Sequence, residues 1–359
     1  LVEHLSNDEF GLSATLFVDS ENNDKPIIAY RGTETNGLLN IVQDILIQDV
    51  FGVFLGMSGF LGQNINSENA FQRWIDAGYI SDNNPATVVG HSLGGHLSLM
   101  AAAEYDAYVS EVYTFNGAGL NGLDFLLNSS NLNPDKVTRV VANVGFEVTA
   151  SDVYLNQYGE LHELSTNPQA LASGLGAFLD DLSIGNHSMV HIVDSLSLMR
   201  VLSTVDSSLS LADLNRIILG ASNRKIESVI HSNQTLLTNG LPSDAEESEA
   251  AISQNTIIAH LVKQLGFSGA IPASVNNSDD LIDHLLSSGV DSAGIQITHM
   301  HNIDDALSLA TNDTGPLGRA IRYALMESTS FVLQPQAGYS LGIFSGVDMY
   351  PPAEFSELF

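Results

Sequence analysis

The sequence predicts an α/β fold, a mainly parallel sheet covered by helices, joined to a mostly helical C-terminal domain. Three observations carry that expectation. Short β-branched runs alternate with helical stretches through the first half. One strand-like run passes through a glycine-flanked turn straight into a helical segment at residues 86–97. Beyond about residue 203 the strand-like runs give way to helical spacing.

In order, residues 14–18 (ATLFV) and 26–30 (PIIAY) read as strands separated by the polar turn DSENNDK. Residues 86–90 (ATVVG) form the next strand, and the Leu- and Ala-rich stretch 97–107 reads as a helix. Residues 109–115 (VSEVYTF) and 137–144 (VTRVVANV) are further buried strands. Residues 190–202 carry apolar side chains at helical spacing. The second half reads as helices at 211–221, 247–264, 278–287 and 315–326, linked by polar stretches such as LPSDAE. These features place one domain at 1–204 and a second at 205–359.

Composition narrows the function. Of the 359 residues, 12 are Lys or Arg and 42 are Asp or Glu, so the formal net charge is −30. Phosphate backbones need basic surfaces, so nucleic acid is excluded as a partner. Only 15% of residues are charged while 44% are hydrophobic, enough to bury a sizeable core. Cysteine is absent, which removes disulfides, thiolate metal sites and cysteine nucleophiles together. No apolar run is long enough to span a membrane; the nearest, 51–61 (FGVFLGMSGFL), is too short, so a water-soluble chain is expected. The opening Leu1-Val2-Glu3-His4 has no signal-peptide pattern and reads as the start of a piece of something longer.

The strongest chemical signal is Gly90-His91-Ser92-Leu93-Gly94-Gly95 between that strand and that helix. This is G-x-S-x-G in the setting that gives it meaning: a strained turn lifts a serine hydroxyl above the sheet edge. Gly90 and Gly94 let strand and helix approach, and the helix N-terminus faces the developing oxyanion. Serine needs a base held by an acid, and in such sheets the order is Ser, acid, His. His187, in the loop before the helix from 190, is the expected base, with His191 one turn on as its rival. His91 and His96 lie too close to the nucleophile in sequence and read as structural. Asp152, in the segment after the strand 137–144, is the expected acid, with Glu147 the lesser alternative. Asp180 and Asp181 read as capping or cation-binding groups. The backbone N–H of Leu93, with Thr33 just after the strand 26–30, supplies the expected oxyanion donors.

Tyr30-Arg31-Gly32-Thr33, then Asn40 and Asp44, then Gly90 to Leu97, resemble the class 3 (fungal-type) lipases of the α/β-hydrolase superfamily. The likeness is strongest to bacterial lipase and phospholipase domains of secreted proteins that carry calcium-binding repeats, and it covers roughly residues 5–202. Asn186-His187-Ser188-Met189 resembles their histidine segment. The resemblance implies a secreted or cell-surface bacterial ester hydrolase, with Ser92 as nucleophile, His187 as base, and Thr33 and Leu93 as oxyanion donors. It implies no cofactor for the chemistry, leaves room for structural calcium, and makes lipid ester at an interface the partner. It also implies a lid after the oxyanion loop, where Phe51, Phe54, Met57 and Phe60 stand among four glycines. A buried core helix is the alternative for that segment. Triacylglycerol lipase, phospholipase A1, a thioester-type acyl enzyme and a non-catalytic binding module remain as readings. His299-Met300-His301 lacks a third metal ligand and reads as loop or surface.

Overall fold

The computed structural model describes residues 1–5, 13–19, 24–32, 58–120, 131–142, 156–166, 189–221, 257–258, 260–262, 264–265, 275, 277–290, 294–300, 305–327, 329–334 and 351–358. The chain divides into two compact units. The first holds Leu1–Leu164 with Leu182–Met189, the second Ser165–Asp181 with Val190–Phe359.

The first unit is built on a seven-stranded, mostly parallel sheet, an α/β arrangement. Its strands are β1 (Glu3–Leu5), β2 (Ser13–Asp19), β3 (Lys25–Arg31), β4 (Ala86–His91), β5 (Val109–Phe115), β6 (Val137–Ala142) and β7 (Glu160–Leu164). They lie side by side in chain order. β1, β2 and β3 pair antiparallel, and each pair from β3–β4 to β6–β7 is parallel. The parallel steps need crossovers, which α1 (Ser58–Asp76) supplies between β3 and β4 and α2 (Leu93–Glu104) between β4 and β5.

The expected strands of this unit all form, each within a residue or two of its predicted bounds. Their apolar runs fit a sheet covered on both faces. Central β4 reads ATVVGH and buries Ala86 and Val88 fully. Two edge strands escape sequence reasoning, EHL in β1 and ELHEL in β7. Both are short and charged, the composition that keeps a sheet edge from pairing with another chain.

α1 contributes Ala70, Phe71 and Trp74 to the core. Burying the two rings stabilises by about 1.5–3 kcal/mol or more each. Trp74 Nε1–H donates to Glu3 Oε2 at 2.6 Å, and Arg73 pairs with the other Glu3 oxygen at 2.9 Å. The N-terminal strand is thereby fastened to the C-terminal part of α1. α2 is buried nearly all round, from Leu93 and Gly94 to Ala102 and Ala103, as a helix wedged into a core must be.

The described part of the second unit contains α3 (Met189–Val205), α4 (Leu211–Ala221), α5 (Ser278–Ser287), α6 (Ala306–Asn312), α7 (Pro316–Met326) and α8 (Pro352–Leu358). It also holds an antiparallel pair, β8 (Gln296–His299) with β9 (Phe331–Gln334), which helical spacing does not announce. The buried Asp206 carboxylate accepts from Ser208 N–H and hydroxyl and from Ile297 N–H at 2.7 Å, tying the end of α3 to β8. Ser210 and Asp213 cap α4 reciprocally. The Ser210 hydroxyl also donates to the Asp213 carboxylate at 2.6 Å, and that hydrogen bond holds the carboxyl below its ordinary value. Arg322 is fully buried, and its guanidinium donates to the Ala310 and Asp313 carbonyls at the end of α6. No helix among the described residues is long and apolar enough to cross a membrane.

Candidate active site

β4 ends at His91 and α2 starts at Leu93, so Ser92 alone makes the turn between them. It does so at φ 56°, ψ −126°, a conformation that glycine takes freely and serine does not. Three backbone hydrogen bonds hold it there. Ser92 N–H donates to the Phe115 carbonyl at 3.2 Å, and the Ser92 carbonyl accepts from Gly95 N–H and Ala118 N–H at 2.9 Å each.

The flanking glycines are required by contact distance. A Cβ on Gly90 would lie 2.0 Å from the Gly94 carbonyl oxygen, and one on Gly94 would lie 2.2 Å from the Tyr30 carbonyl oxygen. Neither space admits a side chain. Gly32, just past β3, sits closer still to the reactive turn: a Cβ there would stand 2.9 Å from the Ser92 Cβ and 3.4 Å from the Leu93 nitrogen. Gly32 therefore lies directly against the serine and the first turn of α2.

Leu93 is the first residue of α2 and is buried. The opening N–H groups of a helix have no intrahelical acceptor, and the helix dipole favours negative charge there. Tyr30, which ends the β3 pairing with β4, is buried, and burial pushes its phenol above the ordinary value. It stays neutral and packs. His96 is fully buried and its Nδ1–H donates to the Gly119 carbonyl at 2.9 Å, a structural part as expected. His91 ends β4 half-buried.

The structure thus brings together Gly90, His91, Ser92, Leu93 and Gly94 with Gly32 beside them. Thr33, Asp152, His187, Phe51, Phe54 and Met57 lie outside the described residues. Phe60 falls in the first turn of α1, where the backbone is described and the side chain is not. The rival His191 lies in α3, buried to 5% exposure, with no hydrogen-bond partner for its Nδ1 among the described residues. Burial lowers its basicity, only partly offset by Asp194. His299 lies in β8, buried, its Nε2 3.6 Å from Asp213. Among the described residues no group of three His, Cys, Asp or Glu side chains is arranged to hold a metal ion.

Sequence reasoning passed over Asn116–Leu120 (NGAGL), which follows β5. Asn116 takes φ 42°, and Ala118 grips the Ser92 carbonyl. The Asn-Gly pair after a strand is the signal that could have found it.

Such an arrangement presents a hydroxyl on a strained turn beside helix-end N–H donors, the layout for attack on an acyl carbon. A comparison with protein families agrees with that chemistry. The family model described as "Putative esterase" matches residues 68–120, from the middle of α1 through β4, Ser92, α2 and β5 to Leu120. The match supports ester hydrolysis as the class of reaction. No curated protein matches the chain.

Proposed function

We propose that the chain is a serine carboxylic-ester hydrolase acting on lipid esters, of the triacylglycerol lipase kind, through an acyl-Ser92 intermediate. The observation that favours this most is the φ 56°, ψ −126° conformation of Ser92 between a parallel strand and a buried helix. In this reading His187 takes the Ser92 proton as Oγ attacks the ester carbonyl, and Asp152 orients and charge-stabilises the imidazole. The N–H groups of Leu93 and Thr33 receive the oxyanion. The alcohol leaves with the proton from His187, and water then releases the acid by the same steps in reverse. The chemistry needs no cofactor; structural calcium on an acidic, secreted chain is compatible with it. Residues 205–359 form a mostly helical accessory or cap domain in this proposal.

Turnover by wild type and Ser92→Ala on triglyceride, phospholipid and a soluble short-chain ester tests the reading. Ser92-dependent hydrolysis of triglyceride supports it, and a preference for phospholipid makes the enzyme a phospholipase A1. Hydrolysis undiminished in Ser92→Ala would sink it.

The segment around Phe51, Phe54, Met57 and Phe60 is proposed as the lid. Replacing Phe51, Phe54 and Phe60 with Ser is expected to spare the soluble ester and depress turnover of emulsified long-chain substrate. Each ring lost from an interface removes roughly 1.5–3 kcal/mol of apolar contact. A core segment would instead cost about 3–5 kcal/mol per ring in stability, which thermal melting reads directly.

A further inference from the structure

Asn116 is fully buried and held at φ 42°, and its backbone and side chain both act on β6. Its N–H donates to the Val140 carbonyl at 2.9 Å, and its side-chain oxygen accepts the Ala142 N–H at 2.8 Å. The regular β5–β6 pairing stops at Phe115 and Val140. Asn116 therefore carries the ladder past its end, to the last residue of β6. Four residues on, Leu120 exchanges two backbone hydrogen bonds with Asn156, each 2.9 Å. Gly119 lies so near Asn156 that a Cβ would stand 2.3 Å from its carbonyl oxygen.

Ala142 and Asn156 stand at either end of residues 143–155 in the sequence, Asp152 among them. Between its grips on those ends, the same short stretch binds the nucleophile turn. Ala118 N–H donates to the Ser92 carbonyl, and the Gly119 carbonyl accepts from His96. A Cβ on Gly95, in the first turn of α2, would come within 2.5 Å of Gly117 Cα. One five-residue strap thus touches the turn that holds the serine, the last residue of β6 and Asn156.

We infer that Asn116 is a positioning residue that fixes Ala142 and Asn156, the residues on either side of 143–155 in the sequence, against the Ser92 turn through the strap Asn116–Leu120. The inference rests on the ester-hydrolase reading with Asp152 as acid. The side-chain amide suits the task, because asparagine tolerates positive φ and its oxygen replaces a backbone acceptor.

The test compares wild type, Asn116→Ala, Asn116→Asp and Asn156→Pro on a soluble ester, with Tm and Ala142 amide exchange measured on each. Asn116→Ala removes the acceptor. Its kcat is expected to fall on the order of 10²-fold, the scale of a misplaced catalytic group, with KM little changed. Ala142 amide exchange should quicken. The acidic limb of the pH profile should move to lower pH, since an imidazolium that has lost its carboxylate gives up its proton more readily. Asn116→Asp keeps both the acceptor oxygen and tolerance of positive φ, and should recover most of kcat. Should Asn116→Ala fail to fold, Asn156→Pro decides. It removes both Asn156 donors to the Leu120 carbonyl, the N–H at 2.9 Å and the side-chain amide at 3.5 Å, at an exposed residue, and kcat should fall while Tm stays near wild type. A folded Asn116→Ala, or a folded Asn156→Pro, with wild-type kcat and pH profile overturns the inference alone. Hydrolysis that survives Ser92→Ala overturns the reading beneath it as well.

Discussion

Ser92→Gly is expected to abolish ester turnover and, at the same time, to melt at a higher temperature than Ser92→Ala. Removing the nucleophile should cost on the order of 10³-fold or more in kcat, leaving the oxyanion donors and substrate binding. The stability gain follows from the backbone. At φ 56°, ψ −126° a residue with a Cβ carries strain on the order of 1–3 kcal/mol, and glycine carries little or none. Glycine also enlarges the unfolded ensemble, which takes back about 0.5–1 kcal/mol. The net advantage over alanine is about 1 kcal/mol, or a few degrees in Tm. Alanine is the proper reference, because both variants lose the hydroxyl, and only alanine keeps the Cβ. The three backbone hydrogen bonds that fix the turn survive in both. A Ser92→Gly protein that melts at or below Ser92→Ala would show that the turn is unstrained, and the main structural support for the nucleophile would go with it.

The same turn shows what was legible in the sequence. ATVVG followed by GHSLGG specifies a strand, a tight corner and a helix, because β-branched residues favour the sheet and glycines permit the corner. Even so, α2 starts at Leu93 and not near Leu97. Gly94 and Gly95 look like helix breakers, yet Gly94 packs against Tyr30 and Gly95 against Gly117, so contact overrides propensity. The far end falls at Glu104, short of 107, since Tyr105 N–H closes onto the Ala101 carbonyl and Asp106–Tyr108 form a tighter turn.

Elsewhere the local signal was weak or absent. α1 contains the polar stretch QNINSEN, and its described side chains reach the core at Ala70, Phe71 and Trp74. β1 and β7 are too short and too charged to stand out. β8 and β9 find each other across more than thirty intervening residues, a pairing that no window along the chain reveals. The strap at Asn116–Leu120 is the same case at the site. Its role lies in which backbone groups it meets, Ser92 on one side and Ala142 and Asn156 on the other. Motif spacing identifies groups that react; it is blind to the groups that hold them.

His187→Ala is expected to lose on the order of 10³-fold or more in kcat, because members of a catalytic triad act as a unit. His191→Ala should keep most of its turnover per folded molecule. The structure bears on the second half of that contrast. A working base needs its Nδ1–H held by a carboxylate so that Nε2 faces the nucleophile. His191 is buried with no hydrogen-bond partner at Nδ1 among the described residues, and burial lowers its pKa. It behaves as a packed neutral ring. The direction of that shift fixes its effect on stability. The folded state resists a proton that the unfolded chain takes up near about pH 6.5, so stability is full above that pH and declines below it. His191→Ala should therefore melt lower than wild type at pH 8, from the cavity it leaves, and lose less further stability than wild type between pH 7 and pH 5. Kinetics and melting curves on the two variants separate the roles. If His191→Ala proves inactive while His187→Ala turns over normally, the base moves one helical turn along the chain, and Asp152 must then be sought as a partner for the other ring.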